Sequence, residues 1–282
     1  MNSVREIQKN ELPERQNKKQ FLYTDRNKVH GRDRDGKNNT REKAQKDRIV
    51  RYWTLRSDSF AKQREAELES ELHDRWLKLI RSELPDGKLS ILDVGTGSGF
   101  FAILLSMEGH QVTGIDLTES MIDNAKKLAR QCGCDTSFEV MDAENLNYMS
   151  ESFDVVISRN LTWTLPNPVK AYREWMRVLK PGGILLNYDA DYGAACFTGP
   201  EEELPREHAH HQIERNLMQE CENLKQELDI STKRRPEWDV SVMKLLGCQE
   251  ICTRRDISEQ IYLEKDEFYN PVPLFSLKVV KK

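Results

Sequence analysis

The stretch SILDVGTGSGFF, residues 90–101, decides the fold of this chain. Its apolar first half predicts a buried strand, and the apolar residues that follow the last glycine predict the start of a helix. Between them, Gly95, Gly97 and Gly99 occupy every second position. Glycines permit positive φ angles and let a ligand approach the backbone closely. A glycine turn between a parallel strand and its helix lies at the carboxyl edge of the sheet, where doubly wound folds bind their ligands.

The rest of the chain continues the alternation of strands and helices. The strands are predicted over residues 89–94, 111–116, 136–142, 153–158, 183–189, 249–257 and 273–282. Helical patterns of about 10 to 15 residues separate most of them, which is typical of a parallel sheet with helices on both faces. The pattern predicts an α/β, Rossmann-like, doubly wound sheet of seven strands that is mostly parallel and carries an antiparallel edge strand.

The segments outside this alternation predict a division of the chain into five parts. These are a polar, disordered tail over residues 1–48, a helical cap over 49–88, a ligand-binding core over 89–189, a helical insertion that covers the ligand over 190–235, and the C-terminal part of the sheet over 236–282. The tail lacks apolar periodicity and cannot bury enough surface to offset its ordering entropy. The insertion is predicted to contain one long polar helix over residues 203–228.

Composition and charge limit the classes of function. The net charge of −4 is the sum of about +6 in the tail and about −10 in the rest of the chain. Since the core lacks a basic stripe with interleaved aromatic residues, a nucleic-acid partner is not expected. The chain has no secretory signal and no apolar run of roughly 18 residues, so we predict no membrane partner and a cytoplasmic location. Six scattered cysteines predict reduced thiols and no metal site.

Three predicted strands in succession place an acidic residue at the ligand-binding edge. Asp93 lies two residues before the first glycine, and Asp116 and Asp142 end the second and third strands. A pyrophosphate would be repelled by Asp93, whereas S-adenosylmethionine (SAM) carries a cationic amino group and a sulfonium. The turn also departs from the dinucleotide spacing G-x-G-x-x-G, because position 100 is a phenylalanine. These features favour SAM over a nicotinamide dinucleotide.

At this point the sequence resembles the class I SAM-dependent methyltransferases. It is most similar to the small-molecule, methyltransferase-11-like group that is related to the ubiquinone and menaquinone C-methyltransferases. The resemblance covers residues 89–188 and rests on the motifs ILDVGTGSGFF, VTGIDLTESMIDNAK, VMDAENL and FDVVISRNLTWTLPNPVKAYREWMRVLKPGG. It implies transfer of the SAM methyl group to a cytosolic small molecule.

The resemblance also implies which residues contact each part of the cofactor. We expect the methionine half to contact Asp93, Gly95, Thr96, Gly97 and Gly99, the ribose to contact Asp116 and Leu117, and the adenine to contact Asp142 and Ala143. Arg159 and Asn160 are expected to face the methionine half and the acceptor, and Tyr52 and Arg56 to close over the bound molecule.

The sequence departs from the quinone enzymes at SRNLTWTLPNP, NYDADY and the charged insertion, which argues against a prenylated quinone as acceptor. Since the sulfonium is already an activated electrophile, positioning alone can supply much of the catalysis. Where the acceptor needs a base, the candidates are Tyr192, His208 and His211, the last two sharing one face of the predicted helix.

Two other classes of function remain open from the sequence. The chain could be a SAM-binding sensor or accessory subunit without turnover, or a nicotinamide-dependent oxidoreductase. A macromolecular methyl acceptor ranks below a metabolite, because only the charged tail offers it a surface.

Overall fold

A seven-stranded sheet forms the centre of the computed structural model, which describes residues 31–198, 204–206, 208, 211 and 213–282. The strands are β1 Ser90–Val94, β2 Gln111–Asp116, β3 Ser137–Val140, β4 Phe153–Arg159, β5 Leu179–Ala190, β6 Glu250–Arg254 and β7 Leu274–Val280. Their order is β3-β2-β1-β4-β5-β7-β6, with β1 to β5 parallel and β7 antiparallel to both β5 and β6. The predicted fold class is confirmed.

Helices cover both faces of this sheet. They are α1 Gly31–Glu69, α2 Leu72–Arg81, α3 Phe100–Met107, α4 Glu119–Gln131, α5 Pro168–Val178, α6 Arg215–Glu227, α7 Glu237–Leu245 and α8 Ile257–Ile261. Local signals set several of their ends. The side chain of Asn167 accepts a hydrogen bond from the Lys170 backbone N–H at 3.1 Å, and Pro168 occupies the first turn, so α5 begins there.

Two apolar clusters lie on the two faces of the sheet. Successive side chains of a strand point to opposite faces, so Ile91 belongs to the cluster that contains Trp76, whereas Leu92 belongs to the one that contains Trp175. All four side chains are fully buried. Because β1 is covered on both faces, its position is fixed, and so is that of the glycine turn that follows it.

The first difference from the sequence prediction concerns the tail. Residues 1–30 lie outside the described residues, but α1 begins at Gly31, so residues 31–48 are helical rather than disordered. The physical reason is polar contact with distant parts of the chain. Arg48 forms ion pairs with Glu220 at 2.9 Å and Glu227 at 2.6 Å, both on α6. Hydrophobic periodicity does not reveal contacts of this kind.

The second difference concerns the insertion. The long helix predicted over residues 203–228 is confined to α6, which covers its second half. Between residues 204 and 214, the residues that the structure describes are not α-helical, and the His208 backbone N–H donates to the carbonyl of Pro205 at 3.0 Å. Proline lacks the N–H that a helix interior needs. The remaining residues of the predicted helix, 203, 207, 209–210 and 212, lie outside the described part of the chain.

The internal contacts divide the chain into two units, Met1–Asn39 and Thr40–Lys282. In the first unit the structure describes only the beginning of α1. The second contains the whole sheet. The finer division into five parts stays a prediction. Among the described helices, none combines the length and the apolar character needed to cross a membrane.

Candidate functional site

One cavity of about 920 Å³ opens at the carboxyl edge of β1 to β5. Its volume is near the upper end of the range of about 300 to 1,000 Å³ that is common for ligand pockets. The sequence-predicted residues that line it are Tyr52, Arg56, Asp93, Gly95, Thr96, Gly97, Asp116, Leu117, Asp142, Ala143, Arg159, Tyr192 and His208. Gly99 and His211 are not among the lining residues. The structure therefore brings most of the predicted site into one cavity.

The glycine turn forms the floor of this cavity at the end of β1. Gly97 has φ +54°, and a Cβ atom there would lie 2.9 Å from Cε1 of Phe60 on α1. Gly99 has φ +91°, but its Cβ would meet Ala125 of α4 and the ring of Phe138 of β3, each at 3.1 Å. Gly97 thus leaves room at the cavity, whereas Gly99 is required for the packing of the turn against its own neighbours.

Asp93 and Asp116 are held by the turn that they flank. Oδ2 of Asp93 accepts hydrogen bonds from Oγ1 of Thr96 at 2.6 Å and from the Ala102 backbone N–H at 3.1 Å. Oδ2 of Asp116 accepts from the Gly97 N–H at 3.1 Å, and its Oδ1 accepts from the Thr118 N–H at 2.8 Å. Burial raises the pKa of both carboxyl groups, that of Asp93 to about 7.

The raised pKa of Asp93 predicts a pH-dependent stability. Between the ordinary carboxyl pKa near 3.8 and about 7, the folded protein keeps a proton that the unfolded chain releases, so the free energy of unfolding falls as pH rises through this window. We expect Asp93→Asn to flatten this dependence. Urea unfolding of the ligand-free protein at pH 5 and pH 8 measures it, with Asp123→Asn, an exposed site on α4, as the control. An unchanged slope in Asp93→Asn would contradict the prediction.

Asp142, predicted to accept from adenine, already has a charged partner. Nζ of Lys46, on α1, lies 2.6 Å from Oδ2 of Asp142 and 2.6 Å from Oε2 of Glu144. Glu144 is fully buried, and its Oε1 accepts from the Asn167 N–H at 2.7 Å. The attraction of the two carboxylates raises the pKa of Lys46 despite its burial. This ion pair ties α1 to the end of β3.

Farther along α1, two arginines share one glutamate. Glu67, fully buried, forms ion pairs with Arg64 and with Arg159 at the end of β4, the latter at 2.8 Å. The Arg159 guanidinium also lies 4.5 Å from the ring centroid of Trp76 and 5.2 Å from that of Phe100. Both arginines line the cavity. Of these three residues, the sequence indicated only Arg159.

Aromatic and amide side chains line the cavity beyond β4. The ring of Trp163 lies 5.0 Å from that of Tyr192 and 5.5 Å from that of Phe197, measured between centroids. Tyr192 OH donates to Oδ1 of Asn160 at 3.1 Å and accepts from Nδ2 of Asn270 at 2.7 Å. Asn160 itself has φ +53°, a strained conformation that often marks functional positions.

The three candidate bases have different environments. Burial and the nearby Asp189 raise the pKa of Tyr192 far above its usual range, so its hydroxyl stays protonated and acts as a donor. Burial lowers the pKa of His208, whose Nε2 donates to the carbonyl of Tyr269 at 2.7 Å. His211 donates its backbone N–H to the carbonyl of His208. Within the residues that the structure describes, no cluster of His, Cys, Asp and Glu side chains could hold a metal ion.

Sequence reasoning missed the contributions of Lys46, Phe60, Arg64 and Glu67, all on α1. Their spacing carries a partial signal, since Phe60, Arg64 and Glu67 lie four and then three residues apart and so share a helix face. The guanidinium of Arg64 lies 4.8 Å from the ring centroid of Phe60, as that spacing allows. Which strand ends they meet cannot be read from the helix alone.

Comparisons with known proteins match one family model and several curated proteins. Residues 92–187 match the family model described as "Methyltransferase domain". Among curated proteins, the ubiquinone biosynthesis O-methyltransferase of Coxiella burnetii is 33% identical over 110 residues, which cover 39% of this chain and 47% of that protein. The chain thus spans about half the length of the curated relatives it matches first.

Two solved structures share the fold at low sequence identity. A SAM-dependent methyltransferase from Aquifex aeolicus has a TM-score of 0.51 and 19% identity, covering 79% of this chain and 98% of that one. Phosphoethanolamine N-methyltransferase 2 of Haemonchus contortus, solved in complex with S-adenosyl-L-methionine, has a TM-score of 0.52 and 19% identity, covering 74% of this chain and 52% of that one. Because both identities are low, these two matches support the fold alone.

Proposed function

We propose, on the premise that the chain contains a class I SAM-dependent methyltransferase domain, that it transfers the SAM methyl group to a small-molecule acceptor. The matched family model and the curated methyltransferase relatives support the domain family, the enzyme class and the cofactor predicted from the sequence. The observation that carries the proposal is the shape of the cavity. The glycine turn, three carboxylates and the aromatic side chains of Trp163, Tyr192 and Phe197 line one continuous cavity.

The described residues fit SAM. A glycine at position 97 leaves the space that a Cβ would fill. Asp116 can accept from ribose hydroxyls, because each carboxylate oxygen has lone pairs beyond the one that a backbone N–H uses. By the same count, Asp142 can accept from an adenine amino group while it remains paired with Lys46. The ionised form of Asp93, which a bound cation favours, supplies negative potential where the cationic methionine half would lie.

In this proposal the protein acts mainly by positioning. Bound SAM supplies an electrophilic methyl group. The walls formed by Trp163, Tyr192 and Phe197 exclude water and orient the acceptor, and alignment of this kind can supply roughly 7 to 11 kcal/mol. Tyr192 OH, held protonated between Asn160 and Asn270, is a hydrogen-bond donor and does not remove a proton from the acceptor. We therefore do not assign Tyr192 as a general base.

Asp116→Asn is expected to weaken cofactor binding by about 10- to 100-fold. A charge-assisted hydrogen bond contributes about 1.5 to 3 kcal/mol, and the amide keeps one acceptor while its NH₂ opposes the hydroxyl donors. The dissociation constant of S-adenosylhomocysteine, measured by titration calorimetry, tests this. Asp123→Asn removes an exposed carboxylate nearby and should leave the constant unchanged. Equal affinities in both variants would remove Asp116 from the proposed ribose site.

The methyl acceptor is tested with methyl-labelled SAM and a cell extract separated into small-molecule and macromolecular fractions. Label in the small-molecule fraction supports the proposal and provides product for identification. Label in the macromolecular fraction overturns the small-molecule acceptor. If S-adenosylhomocysteine binds and no label moves, the sensor without turnover replaces the enzyme. If nicotinamide dinucleotide binds and S-adenosylhomocysteine does not, the nicotinamide-dependent oxidoreductase replaces the methyltransferase as the proposed function.

We place this reaction in the cytoplasm. All six cysteines lie in the described part of the chain and carry free thiols. Disulfides are common in oxidising compartments and rare in the cytosol, so reduced cysteines agree with a cytoplasmic protein.

A further inference from the structure

Among the arginines that line the cavity, Arg64 and Arg159 are about nine-tenths buried and, like Arg56, have N–H groups without a partner in the described part of the chain. Among the described residues, Nε and Nη1 of Arg159 and Nε of Arg64 are buried and donate no hydrogen bond. A buried donor left unsatisfied loses its hydration without compensation. Natural proteins rarely retain such donors unless a ligand, an ion or water completes them. These atoms therefore indicate an acceptor group that the protein chain does not itself supply.

The charges of the cluster favour an anion. Glu67 is the carboxylate that pairs with both Arg64 and Arg159, so the three side chains together carry one net positive charge. Asp93 forms no hydrogen bond with either arginine among the described residues, since its Oδ2 accepts from Thr96 and Ala102, and it acts on Arg159 only through its charge. A guanidinium is a planar donor that suits bidentate binding of a carboxylate. A net positive charge away from water is stabilised when such a group binds.

The position of the cluster favours the acceptor rather than the cofactor. Nη2 of Arg159 lies 3.4 Å from the hydroxyl of Tyr262, whose ring contacts that of Tyr269. Both tyrosines belong to the segment between β6 and β7, and β7 lies beside β5. The ribose and adenine candidates, Asp116 and Asp142, follow β2 and β3 at the opposite end of the sheet. Arg159 thus lies away from the ribose and adenine candidates, at the end of β4 between the glycine turn of β1 and the side of the cavity that Tyr192 lines.

We propose that Arg64 and Arg159 bind a carboxylate of the methyl acceptor, so that the acceptor is an organic acid whose body contacts Trp163 and Tyr192. This inference rests on the proposed function. Glu67 is a positioning residue in this arrangement, because it orients both guanidinium groups from behind. The carboxylate of SAM is a second source of the same chemistry, and the experiment has a separate arm for it.

The first arm uses protein saturated with S-adenosylhomocysteine, so that the cofactor carboxylate is already bound. Benzoate and benzamide, which share a ring and differ in charge, are titrated by calorimetry. We expect benzoate to bind at least about tenfold more tightly than benzamide, which corresponds to about 1.4 kcal/mol. The preference should disappear in Arg64→Met and persist in Arg51→Met, an exposed arginine of α1. No preference for benzoate in the wild-type protein overturns the inference.

Arg64→Met and a further variant, Glu67→Gln, separate the roles of the cluster. Arg64→Met leaves Glu67 and Arg159 as a neutral pair, so we expect it to fold. Glu67→Gln leaves two buried cations, so we expect tighter benzoate binding and a melting temperature that rises when benzoate is added. If Glu67 has only a structural role, Glu67→Gln lowers the melting temperature and added benzoate does not raise it. That result would contradict the assignment.

The second arm compares S-adenosylhomocysteine with 5′-methylthioadenosine, which lacks the amino-acid part. An unchanged affinity of Arg64→Met for both molecules supports the acceptor as the source of the carboxylate. A tenfold loss for S-adenosylhomocysteine alone assigns the arginines to the cofactor and overturns the inference while leaving the proposed function intact. Failure of the wild-type protein to bind S-adenosylhomocysteine overturns both.

Discussion

Gly97→Arg is expected to abolish cofactor binding and methyl transfer, with a loss of about a thousandfold or more, which corresponds to about 4 kcal/mol. The residue has φ +54°, so any side chain is strained there, and a Cβ would already lie 2.9 Å from Cε1 of Phe60. The longer arginine side chain would extend into the cavity above the turn. Its charge would also repel the cationic methionine half of SAM. Calorimetry with S-adenosylhomocysteine and transfer of labelled methyl groups measure the two losses.

Gly133→Ala separates backbone strain from the steric effect. Gly133 has φ +67°, and a Cβ there would meet no atom within 4 Å beyond its chain neighbours, so the variant is strained without a clash. It should bind S-adenosylhomocysteine as the wild type does. Gly97→Ala should fall between the two, since the clash of its methyl group is with a side chain that can move. If Gly97→Arg binds with wild-type affinity, the cavity at the glycine turn is not the cofactor site.

Arg235→Met is expected to lower the free energy of unfolding by about 3 to 5 kcal/mol. The buried guanidinium lies 3.0 Å from Oδ2 of Asp189 and 2.8 Å from Oδ1 of Asp239, and both aspartates are fully buried. Burial disfavours the charge of Arg235, but the two aspartates more than offset this and raise its pKa. Its removal would leave two buried carboxylates, also linked to Tyr172 and Thr162, without a cation.

The neighbouring arginine provides a matched control for this prediction. The Arg234 side chain is 85% exposed and lies 3.9 Å from Glu237, so Arg234→Met should change stability by less than about 1 kcal/mol. Urea unfolding of both variants measures the difference. The triple variant Arg235→Met, Asp189→Asn, Asp239→Asn removes every charge and should recover part of the loss. Equal stabilities of Arg234→Met and Arg235→Met would show that the buried ion pairs contribute little.

The sheet and its ligand-binding edge could be predicted because their signals are local. A short apolar run followed by glycines predicts β1 and its turn, and the acidic residues at the ends of β2 and β3 follow from the strand boundaries. Parallel strands bring their carboxyl ends to one edge whatever the helices do. To predict that Asp93, Asp116 and Asp142 line one cavity, only the strand order was therefore needed.

The role of α1 could not be predicted in the same way. Its residues are largely polar, and the partners of Lys46 and Arg48 lie about 100 to 180 residues later in the chain. Contacts that depend on charge at such separations leave no periodicity. The same limit applies to Gly99, which the motif assigns to the cofactor and the structure packs against Ala125 and Phe138. A motif fixes spacing, but packing decides which of its members face the ligand.

The course of α1 across the sheet edge has a kinetic consequence. This one helix contacts the end of β3 through Lys46, lies over the glycine turn through Phe60 and reaches the end of β4 through Glu67. Departure of α1 from the edge would uncover all three places together. Cofactor exchange and product release past this helix would then share one opening rate, and a substitution on α1 that accelerates one would accelerate the other.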